Sequence, residues 1–139
     1  MGIVNTIHHI DSGVPWPEAY ADAPPCNAAF CANVESGLAL RLANTDPAMP
    51  VVLAVCPLNT GRNAPAGYWG STDNMPRPSP WDTYDFGDQE LVDAYVNYLC
   101  NLIRRFNPAY CNYGIEVTDY IRNNPGAGRR PVRVSPGGL

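Results

Sequence analysis

The sequence predicts an α/β fold built on a parallel sheet, and three segments carry this prediction. A continuous apolar run, Val51–Cys56, has the length and composition of a strand that is buried on both faces. A long amphipathic segment, Asp88–Phe106, comes after it, and a second apolar run lies at Tyr113–Thr118. Because a strand, a helix and another strand in succession form a β-α-β unit, we expect these two strands to be parallel.

A further strand is predicted near the start of the chain, at Ile3–Asp11. The alternation of side chains along a strand places Ile7, His9 and Asp11 on one face. The adjacent histidines His8 and His9 therefore point to opposite faces, and no third ligand stands at a recognisable spacing, so no metal site is predicted. His9 is interpreted either as a hydrogen-bonding group near a substrate or as a satisfied interior histidine. The sequence also lacks a glycine-rich phosphate loop, and no cofactor is predicted.

The helix predicted at 88–106 has signals at both ends. Asp88 is a residue type that caps helix N-termini, and Arg104 and Arg105 place cations in the last turn, where they suit the helix dipole. Asn107 and Pro108 then end the helix. Its apolar positions recur at the three-and-four spacing of one helical face, and they are Leu91, Ala94, Tyr95, Tyr98, Leu99, Leu102, Ile103 and Phe106.

Polar side chains accompany each predicted strand. His9 and Asp11 end the first strand, Asn59 and Arg62 come just beyond the second, and Glu116 lies in the third. Ligands of parallel α/β sheets and barrels bind at the carboxyl ends of the strands, so we expect these groups to converge there. A carboxylate on a buried strand face occurs mainly where it is paired with another group or takes part in catalysis. The alternative is a glutamate on an edge strand that points at water.

The segment 63–87 is rich in aromatic residues and proline and shows little helical or strand period. Loops of that length are usually functional or disordered. Trp69 lies on this loop, and Trp16 stands between two prolines after the first strand. Because a pyranose presents apolar C–H faces that stack on aromatic rings, each tryptophan is interpreted as either a sugar-binding or a packing residue.

Four segments together resemble a known family, and they are His8–Ala19, Cys56–Asn59 with Arg62, Pro108–Tyr110 and Tyr113–Val117. On these residues the chain is similar to the (β/α)₈ glycoside hydrolases of clan A, in particular to arabinogalactan endo-β-1,4-galactanase-like proteins. The similarity covers residues 3–121 and implies a partial (β/α)₈ TIM barrel, consisting of early-to-middle strands with flanking helices.

The resemblance implies retaining hydrolysis of a β-linked plant polysaccharide. In that clan a glutamate at the end of the fourth strand is the general acid/base, which corresponds to Glu116 here. The clan usually has an asparagine before this glutamate, whereas this chain has Ile115, so the sugar and its linkage stay open. The substrate-binding residues that we infer are His9, Asp11, Trp16, Glu18, Asn59, Arg62 and Trp69.

The nucleophile of this clan lies on a later strand, which the resemblance places outside this chain. Asp11 and Glu18 are the only other nearby carboxylates, and nothing in the sequence positions either of them as a nucleophile. The expected function is therefore that of a glycoside hydrolase-like fragment that is inactive alone. The alternative is a non-catalytic carbohydrate-binding or non-functional fragment.

Length sets the expected domain organisation. The chain has 139 residues, whereas a complete (β/α)₈ barrel needs about 200 to 250. We therefore expect a partial barrel at 1–122 and a disordered or out-of-frame tail at 123–139, where glycine, proline and arginine replace any apolar period. A partial barrel leaves open strand edges, through which we expect the chain to self-associate.

Composition limits the partners and the compartment. A net charge of -4 and the absence of lysine argue against nucleic acid, and no stretch approaches the roughly 18 apolar residues of a membrane span. No signal peptide is recognised, although the family that the chain resembles is often secreted, so the localisation stays open. The five cysteines are interpreted as buried reduced thiols rather than as a zinc site or a disulfide framework. A secreted setting would allow Cys26 and Cys31 to pair.

Overall fold

The computed structural model describes residues 6–10 and 12–126, and it has the predicted α/β fold with a parallel sheet. The described sheet contains β1 (Thr6–Ile10), β2 (Val51–Val55) and β3 (Tyr110–Asn112), in the order β1-β2-β3. β2 pairs in parallel with both of its neighbours. The apolar run at 51–56 therefore forms the central strand, as its composition indicates.

Four α-helices lie within residues 12–126. They are α1 (Trp16–Ala21), α2 (Ala28–Asn44), α3 (Gln89–Phe106) and α4 (Val117–Asn123), with a short 3-10 helix at Trp81–Thr83. α2 lies in the connection between β1 and β2, and α3 lies between β2 and β3. Successive strands of the chain are therefore neighbours in the sheet. No helix among these residues combines the length and the apolar character that a membrane crossing requires.

α3 confirms the helix predicted at 88–106. Asp88 occupies the N-cap position, but its side chain accepts a hydrogen bond from the backbone N–H of Asp85, 2.8 Å away, rather than from the helix. At the other end, Asn107 adopts a left-handed conformation and its N–H donates to the carbonyl of Ile103 at 2.8 Å. Pro108 then ends the helix, as the sequence indicates.

The strand predicted at 113–118 is wrong. β3 covers Tyr110–Asn112, and the side-chain oxygen of Asn112 accepts from the N–H of Gly114 at 3.2 Å, which turns the chain out of the strand. One further bond, from the N–H of Ile115 to the carbonyl of Val55 at 3.2 Å, keeps the segment beside β2. Glu116 then adopts a left-handed conformation at the start of α4.

One other boundary differs from the predictions. The expected boundary between residues 122 and 123 falls inside α4, which ends at Asn123. Residues 3–5, residue 11 and the tail from 127 lie outside the described part of the chain.

Cys26 and Cys31 form a disulfide with their Cα atoms 6.0 Å apart, which corrects the interpretation of these two residues as reduced thiols. The other three cysteines, Cys56, Cys100 and Cys111, are thiols, as predicted.

The hydrophobic core lies between the helices and the sheet, and Trp16 stands at its centre. The Trp16 ring is fully buried, stacks on Trp81 at 6.4 Å and contacts Tyr95 of α3 at 6.3 Å between ring centroids. Its indole N–H donates to the carbonyl of Ala66 at 2.8 Å. Leu53 of β2 is also fully buried. α1, the long loop and α3 therefore converge on one aromatic side chain.

The inward face of α2 can be tested with one substitution at two positions. Leu38 is 7% exposed and belongs to the core, whereas Leu40 is 66% exposed on the same helix. We expect Leu38→Ala to lower the free energy of unfolding by about 2 to 4 kcal/mol, because it removes buried methyl groups and leaves a cavity. Leu40→Ala is the matched control and should change it by less than about 0.5 kcal/mol. Equal effects in urea denaturation would contradict the described orientation of α2.

Candidate functional site

An ion pair links the segments that follow β2 and β3. Arg62 Nε donates to Glu116 Oε2, and Arg62 Nη1 also donates to the carbonyl of Asn59 at 2.8 Å. The Arg62 side chain is 19% exposed and that of Glu116 is 46% exposed. The structure thus brings together Arg62 and Glu116, two residues that the sequence analysis placed at the strand ends.

Asn59 builds the turn that carries Arg62. Its side-chain oxygen accepts from the N–H groups of Asn63 and Ala64, at 3.1 and 3.3 Å, and its Nδ2 donates to the Asn63 side chain at 2.8 Å. These bonds engage the amide in local structure. Asn59 therefore acts on Arg62 through the backbone, which differs from the direct substrate contact that the resemblance implies for it.

Arg62 and Glu116 share an unusual backbone conformation. Their φ angles are 55° and 60°, in the left-handed region that residues with a side chain rarely adopt. The C-terminal end of α4 holds the turn at Arg62 in place. Asn123 Nδ2 donates to the carbonyl of Arg62 and Asn124 Nδ2 donates to that of Asn63, both at 3.1 Å. Asn123 and Asn124, which the sequence analysis assigned to the tail, therefore belong to the site.

A cleft of about 530 Å³ lies between the turn after β2, the long loop and α4. Asn63 adjoins Arg62 in this wall, and α4 extends from Glu116 into it, so the cleft neighbours the ion pair. The ring of Tyr120 packs edge-to-face on the ring of Phe86, with the two centroids 5.2 Å apart. The lining consists mainly of polar and aromatic side chains, among them Asn63, Arg77, Asp82, Thr83, Tyr84, Asp85, Tyr120, Asn123 and Asn124.

Arg77 fixes the loop wall of this cleft. Its Nη1 donates to the carbonyls of Trp81 and Tyr84, at 2.6 and 2.7 Å. Burial lowers the pKa of Arg77, while the charges of Asp82 and Asp85 oppose that shift. The sequence analysis missed Arg77 and Tyr120 as site residues, although the proline and aromatic content of 63–87 did indicate a functional loop.

Glu18 belongs to a separate hydrogen-bond network that connects α1, α2 and the loop. Its Oε1 accepts from the Tyr68 hydroxyl at 2.5 Å and from Asn27 Nδ2 at 3.4 Å, while the buried Oε2 has no hydrogen-bond partner among the described residues. Asn27 also donates to the carbonyl of Trp69 at 2.7 Å and caps α2 by accepting from the N–H of Phe30 at 2.8 Å. None of these residues lines the cleft. This placement separates Glu18 from the substrate-binding set inferred for the strand ends.

The two tryptophans of the predicted binding set also lie elsewhere. Trp16 is fully buried, so no ring face is available to a sugar, which corrects the binding role inferred for it. Trp69 is half-buried and packs edge-to-face on Phe30 at 5.6 Å. It lines a separate cavity of about 120 Å³ beside α2. The aromatic residues available to a ligand in the cleft are Tyr84 and Tyr120 instead.

His9 and Asp11 are the remaining residues of the predicted site. Asp11 lies outside the described residues, and His9 is described through its backbone, which pairs with Ala54 of β2. Their convergence with Glu116 stays a prediction.

Comparison with known proteins finds no protein family, curated protein or solved structure that matches this chain.

Tyr68 provides a test of the Glu18 network through pH. Burial, and then the hydrogen bond to Glu18, raise the pKa of Tyr68 from 10.0 to about 12. The folded state therefore keeps the Tyr68 proton where the unfolded chain has lost it, so stability is present below pH 10 and declines from about pH 10 to 12.

We expect Tyr68→Phe to remove this part of the alkaline decline and to cost about 1 kcal/mol at neutral pH, through the lost hydrogen bond. Tyr110→Phe, at an exposed position of β3, is the control for loss of a hydroxyl. Denaturant titrations at several pH values measure both effects. If stability declines equally in Tyr68→Phe between pH 10 and 12, the decline does not come from loss of the Tyr68 hydroxyl proton.

Proposed function

We propose that this chain is the early-to-middle part of a glycoside hydrolase-like (β/α)₈ barrel, with Glu116 as its acid/base and the adjoining cleft as its carbohydrate site. The observation that carries the proposal is the Arg62–Glu116 ion pair, which joins the segments after two neighbouring parallel strands. Active sites of such barrels are built from the loops at this end of the sheet.

The strand order supports the barrel part of the proposal. In a (β/α)₈ barrel each strand pairs with its neighbours along the chain through helical crossovers, and the order β1-β2-β3 with α2 and α3 follows that rule. One half of a dinucleotide-binding fold has the same consecutive order. The segment after β1, Ser12–Trp16, lacks the glycine-rich phosphate motif of that fold, which favours the barrel.

Glu116 and Arg62 suggest how the acid/base would work. Oε2 of Glu116 is bound by Arg62, whereas Oε1 takes no part in that ion pair. A carboxylate held by a guanidinium has no proton to give, so proton transfer to a leaving oxygen requires Arg62 to release it. We propose that sugar hydroxyl groups take over the Arg62 donors when substrate enters the cleft.

The cleft supports a carbohydrate as the ligand. Its volume of about 530 Å³ falls within the range of small-molecule sites. Asn63 and Asn124 offer amide groups for hydroxyl recognition, and Tyr84 and Tyr120 offer ring faces for apolar C–H surfaces. This combination of amide and aromatic side chains is the chemistry that a pyranose requires.

Binding can be mapped by NMR with β-1,4-galacto-oligosaccharides. We expect saturable chemical-shift changes at Asn63, Tyr84 and Tyr120, and about tenfold weaker binding in Tyr120→Ala, which corresponds to about 1.4 kcal/mol. Tyr113→Ala, at an exposed tyrosine outside the cleft, is the matched control and should leave the affinity unchanged. If millimolar oligosaccharide shifts none of these resonances, the carbohydrate site is refuted.

Turnover tests the catalytic part separately. Retaining hydrolysis needs a second carboxylate about 5 to 5.5 Å from the acid/base. Asp85 lines the cleft, but its Oδ1 already accepts from the N–H of Gly87 at 2.8 Å. We therefore expect no turnover of galactan or aryl β-galactosides, since acid/base assistance alone supplies only about 10² to 10⁴-fold.

Two variants, Glu116→Gln and Asp85→Asn, show which residues any turnover in this assay depends on. Turnover that Glu116→Gln abolishes would contradict the expected inactivity and place a nucleophile within this chain, and its loss in Asp85→Asn as well would identify that nucleophile. The alternative function is a non-catalytic carbohydrate-binding fragment. Sugar affinity that Glu116→Gln leaves intact, without turnover in either protein, favours this alternative.

A further inference from the structure

A second cavity, of about 170 Å³, lies between α2 and α3. Phe30 and Val34 of α2 line it from one side, and Tyr98 and Leu102 of α3 line it from the other; all four side chains are buried. It shares no lining residue with the cleft beside Glu116. Whatever binds there is therefore recognised independently of the proposed carbohydrate site.

The size and lining of this interhelical cavity suit a single aromatic ring. A cavity of about 150 Å³ is large enough to hold benzene, and the polar side chains of Glu35, Asn101 and Arg105 complete the lining of this one. The rings of Phe30 and Tyr98 line the cavity and contact each other, tilted by 51° with their centroids 5.8 Å apart, so a third ring placed there would pack against aromatic side chains. The disulfide between Cys26 and Cys31 forms a further, covalently fixed part of the wall.

The rim of the cavity carries balanced charge. Arg105 of α3 donates through Nε and Nη2 to the two carboxylate oxygens of Glu35 on α2. The hydrogen bond between them lowers the pKa of Glu35 and raises that of Arg105, so the pair stays ionised near neutral pH. An anionic ligand would have to displace Glu35 from Arg105. A neutral hydroxyl can instead donate to the carboxylate or accept from Arg105 Nη1, which takes no part in the pair.

We propose that the interhelical cavity binds a neutral, monocyclic phenol, with the ring between Phe30, Val34 and Tyr98 and the hydroxyl at the Arg105–Glu35 rim. The side chains that face the ring are buried before a ligand arrives, and the Cys26–Cys31 disulfide fixes an adjoining part of the wall, which reduces the entropic cost of binding. The ligand class follows from three features, namely the volume of one ring, an aromatic lining and a rim without net charge.

Phenol itself is the probe, added to the full chain with its disulfide intact. We expect saturable binding and intermolecular NOEs from phenol ring protons to Phe30, Val34 and Tyr98. Val34→Phe should fill the cavity and weaken binding by at least about tenfold. Leu40→Phe, at an exposed position of the same helix, is the control and should leave the affinity unchanged.

The outcomes separate the parts of the proposal. Absence of these NOEs at saturating phenol, or unchanged affinity in a Val34→Phe protein that circular dichroism shows to be folded, overturns the site. If Val34→Phe fails to fold, the NOEs to the unmodified protein decide. Benzoate should bind more weakly than phenol, and equal affinity would overturn the assignment of a neutral head group.

Discussion

The burial of Trp16 is the interaction on which most of this structure depends. An indole ring can be buried completely only if its N–H finds an acceptor, since an unsatisfied polar group costs about 1 to 3 kcal/mol. The carbonyl of Ala66 supplies that acceptor and thereby fixes the loop that follows β2. Because the same ring stacks on Trp81, the distant end of the loop is held as well. A long loop with little secondary structure of its own is thus anchored at both ends, and its residues Arg77 and Tyr84 line the cleft.

The sequence predicted the elements with a regular hydrophobic pattern and missed those in which apolar residues also occur on the exposed face. β2 and α3 were predicted because one is uniformly apolar and the other has a regular buried stripe. α2 was missed because Leu40 and Leu42 are exposed, so apolar residues occur on the outward as well as the inward face. The segment after β3 was taken as a strand because Ile115 and Val117 alternate with polar residues. A left-handed residue between them cannot be read from such a pattern.

The candidate site was predictable only where topology alone decides it. Parallel strands bring their carboxyl ends to one edge, which was enough to predict that Arg62 and Glu116 lie close together. The role of a tryptophan, in contrast, depends on which side chains surround it, and Trp16 and Trp69 both have partners more than a dozen residues away in sequence. The same holds for the bond between Glu18 and Tyr68, which joins residues 50 positions apart. The Cys26–Cys31 disulfide is a local feature, but its formation depends on a redox environment that residue spacing does not encode.

The energetics of the Arg62–Glu116 pair argue that it is more than a structural contact. An ion pair that is partly exposed to water, as this one is, stabilises a protein by at most about 1 kcal/mol. The left-handed conformations of its two residues cost about 1 to 3 kcal/mol each, so the pair does not offset its own backbone strain. The hydrogen bonds of Asn59, Asn123 and Asn124 hold the first of the two turns in place instead. Strained residues that the surrounding structure over-determines are found at functional sites, so the left-handed conformations of Arg62 and Glu116 support a functional role for this pair.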